Sequence, residues 1–169
     1  MFYKFLNQDG TSCNGGHSAW NLPTQNEDGT WTPGEWMPAI EGALVPCQNG
    51  YHLCEEKDLL QWLGPTCYEA EYRGERVDAD DKSVVREARL LRRLNWSNRE
   101  ARLFACDCAE RVVHLCGDDP RPRAAIETAR RYANGQATDE ELVAAWDAAR
   151  DAETTWQIAR LVWYLESEK

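Results

Sequence analysis

Basic residues are scarce in the first half of this 169-residue chain. Up to Asp81 it has Lys4, Lys57, Arg73 and Arg76 against fourteen Asp and Glu, whereas from Lys82 onward fifteen basic residues face fifteen acidic ones. The formal charge of −10 therefore belongs to the first half alone. Such an imbalance repels nucleic acid and anionic membrane surfaces and favours basic protein partners. Long apolar runs are also missing. None approaches the roughly 18 residues of a membrane span, and the N-terminus lacks the basic-then-apolar pattern of a secretory signal. The expectation is a cytoplasmic protein with no membrane partner and no direct nucleic-acid partner. No Cys-x-x-Cys knuckle is present. The seven cysteines are odd in number, so they cannot all pair within one chain. In a reducing compartment they are free thiols or ligands.

What the chain has in plenty is tryptophan, eight residues, against three phenylalanines. Phe2–Leu6 reads as a short strand stopped by the turn Asn7-Gln8-Asp9-Gly10. Residues 11–42 are rich in Gly, Asn, Thr, Pro and Trp and show no period. They read as a long ordered loop anchored by Trp20, Trp31 and Trp36, whose rings either pin it to the core or form a recognition surface. Ala43-Leu44-Val45 reads as a strand. Residues 55–63 read as a short helix burying Leu59, Leu60, Trp62 and Leu63, closed by Gly64-Pro65. From Thr66 to Arg73, Cys67, Glu69 and Glu71 alternate with Tyr68, Ala70 and Tyr72, as in a half-buried strand. Gly74 would then open a polar turn ending in Asp78-Ala79-Asp80-Asp81, a solvated acidic turn without calcium-loop spacing. Residues 83–94 fit a strand entering a helix. Their arginines, Arg86, Arg89, Arg92 and Arg93, read as an internally salt-bridged face rather than a phosphate contact.

The stretch Pro46-Cys47-Gln48-Asn49-Gly50-Tyr51-His52-Leu53-Cys54 is the one site-like constellation of this half. Gly50 accepts a positive φ, so Gln48-Asn49-Gly50 reads as a tight turn, followed by a strand over 51–54. Three chemistries fit it. The thiols can be small buried hydrophobes with His52 hydrogen-bonded. Cys47, His52 and Cys54 can ligate zinc, with Cys13 or His17 as the fourth ligand, although Cys-x4-His-x-Cys is not a zinc-finger spacing. Third, Gly50-x-His52 on a strand resembles the ribose-binding histidine strand of ADP-ribosyltransferases. That resemblance would put His52 on an NAD ribose and Glu69 or Glu71 on an oxocarbenium-like transition state.

The second half reads as helical. Ser97-x-x-Glu100 and Thr138-x-x-Glu141 are capping-box patterns, in which a hydroxyl and a carboxylate satisfy free helix N–H groups. The helix after Ser97 has an apolar stripe at Ala101, Phe104, Ala105, Cys108, Val112 and Leu115, and Phe104 is expected to be buried. Asp118-Asp119-Pro120 opens a second helix ending at Asn134-Gly135. The third carries Leu142, Ala145, Trp146 and Ala149 and continues or kinks into Trp156 to Leu165. Cys106 and Cys108 lie about 200° apart on a helix. The thiols here, with Cys116, therefore read as core residues rather than as a metal site with His114. The fold class is α+β: a small, mostly antiparallel sheet region with one short helix over 1–94, then an antiparallel helical bundle over 95–169.

The first half also resembles an uncharacterised family common in phages and prophages. The matching pieces are Tyr3-Lys4-Phe5, Cys13, Cys47-x-x-Gly50-x-His52-x-Cys54, Glu69-x-Glu71-x-x-Gly74 and Asp80-Asp81-Lys82. That family carries no established activity. The second half, Arg99 to about Asp151, is similar to a helical module of immunity proteins in polymorphic toxin systems and of repeat-companion proteins of planctomycetes. It matches through Arg102-Leu103-Phe104-Ala105-Cys106-x-Cys108-Ala109, Ala124 to Ala133, Gly135 and Thr138-Asp139-Glu140-Glu141-Leu142. These resemblances imply a non-enzymatic protein acting in a host cell by binding. It would inhibit a host complex with a basic surface, such as a CRISPR effector, with Asp78, Asp80 and Asp81 mimicking nucleic-acid charge, or neutralise a toxin. The contact residues expected are Trp20, Trp31, Trp36 and those three aspartates. No cofactor is expected on this reading, whereas the two rivals would carry zinc or NAD.

Overall fold

The computed structural model describes residues 1–16 and 18–166. They form two units, Met1–Ser97 and the helical segment from Asn98. The chain is α+β, as expected.

In the first unit, β1 (Phe2–Leu6), β4 (Tyr51–Leu53), β5 (Thr66–Asp78) and β6 (Ser83–Arg93) make one antiparallel sheet in the order β1-β5-β6-β4. β2 (Thr24–Gln25) and β3 (Trp31–Thr32) pair with each other as a separate two-stranded ribbon. The hairpin β5–β6 is longer than expected. Gly74 does not end β5. It takes φ +79° beside a register shift between Arg73 and Arg76, a bulge that lets the ladder resume to Asp78. The turn proper is only the segment between Asp78 and Ser83, closed by the Ala79 N–H donating to the Lys82 carbonyl at 2.8 Å. β6 does not enter a helix. Val84, Val85, Ala88 and Leu90 are all fully buried along it, and cross-strand pairing to β5 holds the segment extended throughout.

β4 covers β6 only at Ser83–Val85. Beyond that, the long loop takes over the edge. Gly34, Met37 and Ile40 donate their backbone N–H groups to the carbonyls of Leu90, Ala88 and Arg86. Gly34 is needed there, since a Cβ would meet the Asn21 carbonyl oxygen at 2.0 Å. The loop is therefore ordered by backbone pairing as well as by its tryptophans, and it closes a strand edge that would otherwise be free to aggregate. Its two Asn-x-Asp-Gly-Thr turns, at Asn7–Thr11 and Asn26–Thr30, are built alike. In each, the Asp carboxylate accepts from the Thr N–H and hydroxyl, and the Asn amide donates to the same hydroxyl.

Two apolar clusters follow from strand alternation. Leu6, Trp20, Met37, Tyr51, Leu53, Tyr68, Ala70, Val85, Ala88 and Leu90 pack together, and Phe5, Cys54 and Cys67 form a second group with Trp62 and Trp96. Ala43-Leu44-Val45 is not a strand; only Val45 makes a bridge, to Asn49. The expected helix at 55–63 is a 3₁₀ segment, Glu56–Gln61, in which Leu60 and Leu63 are exposed. Residues three apart eclipse in a 3₁₀ turn, so Leu59 and Trp62 share the packed side while Leu60 and Leu63 share the exposed one.

In the second unit, α1 (Asn98–Val112), α2 (Pro120–Ala133) and α3 (Asp139–Glu166) follow one another through short connections. Asp119 caps α2, and Thr138 and Glu141 exchange both bonds of the capping box, at 2.8 and 3.2 Å. The core is small: Cys106, Ala129 and Leu142, with Ile126 and Tyr132 against them. The expected stripe of α1 is displaced. Cys106 and the Val113 that follows the helix are buried, whereas Phe104 is 38% exposed and Cys108, Val112, Leu115 and Cys116 face out. Apolar residues occur on more than one side of α1, and Cys106, accepted by the small Ala129, decided which side is buried.

These burials order the substitutions. Leu90→Ala should cost roughly 2–5 kcal/mol from lost transfer energy plus a cavity. Thr138→Ala should cost about 1 kcal/mol, and Phe104→Ala should fall well below Leu90→Ala. Urea melts of the three variants, each unit followed by its own amide exchange, check the order.

Candidate functional site

A cavity of about 280 Å³ opens in the sheet unit, walled by β1, β4, the segment Ser12–Gly16 and the residues Trp20, Trp62 and Lys82. The Cys-His stretch forms one side of it. Gly50 sits at φ +136° with Val84 Cγ1 2.2 Å from where a Cβ would be. Only glycine lets β4 dock this closely on β6. Cys47, just before, holds φ +63°, a conformation that costs a non-glycine residue about 1–2 kcal/mol.

His52 points its ring back at this turn. Its Nε2 accepts the Cys47 backbone N–H at 2.8 Å. Burial, then the ammoniums of Lys4 and Lys82, lower its pKa, so at neutral pH the imidazole is uncharged. With Nε2 bonded to the backbone of Cys47, the histidine acts as the latch of the turn.

Lys4 is the cation inside the cavity. Its Nζ donates to the His52 carbonyl at 3.1 Å and lies 5.1 Å from the centre of the Trp20 ring. Burial pushes its pKa down to about 8, opposed only by the nearby thiols of Cys13 and Cys54. Lys82 is differently placed: it ion-pairs with Asp81 at 3.0 Å and lies over the Trp62 ring. Trp20 stacks edge-on to Tyr51, and its indole N–H is buried without an acceptor among the described residues.

The expected zinc set does not assemble. Burial pushes the Cys54 thiol up to about 11, and Cys54 packs in the second apolar cluster beside Cys67, itself pushed up to about 12 by burial. Cys13 lies against Gly64 and Phe5, and Cys47 is exposed. Among the described residues no three His, Cys, Asp or Glu side chains are grouped to hold a metal ion. His17, the other expected ligand, lies outside the described residues. The NAD constellation is not brought together either. Glu69 and Glu71 pair across the hairpin with Arg92 at 2.6 Å and Arg89 at 2.5 Å, and neither lines the cavity with His52.

The expected contact residues are scattered. Trp20 is buried. Trp36 lies beneath two guanidiniums, Arg73 at 4.4 Å and Arg89 at 4.7 Å, and Trp31 sits in the β2–β3 ribbon. Asp78 accepts from Arg76 and Ser83, which hold its carboxyl below the usual range. Asp81 holds Lys82, while Asp80 is exposed at the turn. The arginines of β6 do face carboxylates: Arg86 pairs with Glu75, Arg89 with Glu71 and Arg92 with Glu69.

The surface that sequence reading missed is on α3. This helix runs 28 residues without a break, roughly 42 Å. After Ala149, every residue whose side chain is described is exposed, including Trp156, Ile158, Leu161 and Val162. The signal was present in the near-continuous apolar run from Trp156 to Leu165, which the bundle reading had assigned to packing. No family model, curated protein or solved structure matches the chain.

Two measurements check this geometry. Cys47→Gly should raise stability by about 1 kcal/mol, because glycine relieves the positive φ, whereas Cys47→Val should lower it. Lys4 has a folded pKa below its unfolded value of 10.5. Between about pH 8 and 10.5 the unfolded chain thus holds more protons, and this group makes stability rise with pH. Cys54 and Cys67, with raised folded values, act oppositely above about pH 9. The difference in unfolding free energy between wild type and Lys4→Met should therefore move in favour of wild type from pH 8 to 10.

Proposed function

We propose that the protein is a non-catalytic binding protein that captures and inhibits a basic protein or protein complex, with α3 as its docking element. The observation that supports this most directly is the exposed apolar surface of Trp156, Ile158, Leu161 and Val162. Patches of this kind on a helix serve protein–protein contact. Helical propensity alone leaves such a segment marginal in water, so a partner that covers it also stabilises it.

Charge argues for a basic partner. α3 carries seven carboxylates and two arginines, and the whole chain stands at −10. A helix so rimmed steers basic proteins toward itself and repels nucleic acid, whose place on a basic partner it would take. The aspartates of the β5–β6 turn contribute little to that field, since Asp78 and Asp81 are neutralised by Arg76 and Lys82. Inhibition of a nucleic-acid-handling complex, or neutralisation of a toxin, are the two forms this binding would take in a phage or mobile-element setting.

The test is capture from host lysate followed by reconstitution with the purified partner. Trp156→Ala with Leu161→Ala should reduce affinity at least about tenfold, with slower loss on raising salt in a variant carrying Asp147→Asn, Asp151→Asn and Glu153→Gln. Asp78→Asn should change little. An acidic partner, or binding insensitive to both variant sets, would overturn the reading. So would sedimentation showing that α3 is consumed in self-association.

A further inference from the structure

The sheet unit has fifteen carboxylates and nine lysines and arginines, yet among the described residues no Asp or Glu lines its cavity. It is lined instead by two lysines, by the hydroxyls and amides of Ser12, Asn14, Ser18 and Gln48, and by aromatic rings. In an acidic unit this exclusion of carboxylates marks a place where negative charge is to be supplied from outside.

Lys4 is the centre of that place. It makes one hydrogen bond, to the His52 carbonyl. Among the described residues it has no carboxylate partner, and besides that bond it meets only the face of Trp20, 5.1 Å from the ring centre. A half-buried ammonium without a counter-charge is costly, because its desolvation is not offset by an ion pair. The depressed pKa reports that cost. Lys4 is the one charged residue of β1, whose other members are Phe2, Tyr3, Phe5 and Leu6. Lys82 adds a second positive end at the rim, held in place by Asp81 and Trp62. His52 is neutral and its carbonyl, not its ring, orients the Lys4 ammonium. Tyr51, Trp20 and Trp62 supply flat apolar walls.

We propose that this cavity is a binding site for a small organic anion, a planar ring bearing one carboxylate or phosphate, with the acidic group on Lys4 and the ring against the aromatic walls. The size suits such a molecule, at the lower end of the range for small-ligand sites. A ligand in this place would bridge β1, β4 and the Ser12–Gly16 segment, so binding would stabilise the sheet unit. The site is in the sheet unit and does not depend on α3, so it stands or falls separately from the protein-binding role.

Isothermal titration of the full chain with benzoate and with adenosine 5′-monophosphate tests it, benzyl alcohol and adenosine being the neutral counterparts. At pH 7 at least one anion should bind, about tenfold or more tighter than its neutral counterpart. Benzoate alone binding assigns the carboxylate class, and the nucleotide alone the phosphate class. Lys4→Met should remove that preference while its circular dichroism matches wild type. Wild type measured at pH 9.5, where Lys4 has lost its proton, should show the same loss without any substitution. No preference for either anion over its neutral counterpart, or a preference unchanged in Lys4→Met and at pH 9.5, would overturn the proposal.

Discussion

Strand β6 is paired along both edges, and the sheet unit depends on that. β5 takes one edge along nearly its whole length, and β4 and then the backbone of residues 34–40 take the other. A strand covered on both edges can bury Val84, Val85, Ala88 and Leu90 completely, because pairing there supplies partners to backbone groups that burial takes from water. The cluster around Trp20, Met37 and Tyr51 forms against it. The long irregular segment is thereby part of the sheet and not an appendage to it.

The same pairing builds the cavity. β4 is only three residues long, and it reaches β6 because Gly50 has no side chain to strike Val84. The turn before it is latched by His52, whose Nε2 accepts the backbone N–H of Cys47. Its carbonyl then holds the Lys4 ammonium, placing a cation in a lining without carboxylates among the described residues. A residue type that suggests catalysis in the sequence thus does conformational work, and the chemistry passes to its neighbour across the strands.

The helical unit is governed by a different balance. Its core of Cys106, Ala129 and Leu142 is small, and much of its apolar surface is left outside. Caps at Asp119 and Thr138 start α2 and α3, but caps act over one turn and cannot bury a helix of this length. The end of α3 therefore stands as surface.

The alternation at Thr66–Arg73, the capping box at Thr138, and the Pro120 start and Gly135 stop of α2 were legible in the chain, because each follows from residues a few positions apart, whereas the turn expected at Gln48-Asn49-Gly50 lies at Pro46–Gln48, closed by the pairing of Val45 with Asn49. The charge asymmetry was legible too, being only a count. Tertiary structure decided the rest. Whether Gly74 is a turn or a bulge depends on a partner strand ten or more residues away, as does the extended state of 83–93, which has helical and strand periods alike. The buried side of α1 depends on which small residue of α2 receives it. The role of His52 depends on where its Nε2 finds a partner, and that of Lys4 on the described residues that surround it, none of them a carboxylate. Those are relations between residues distant in sequence, fixed by packing and not by pattern.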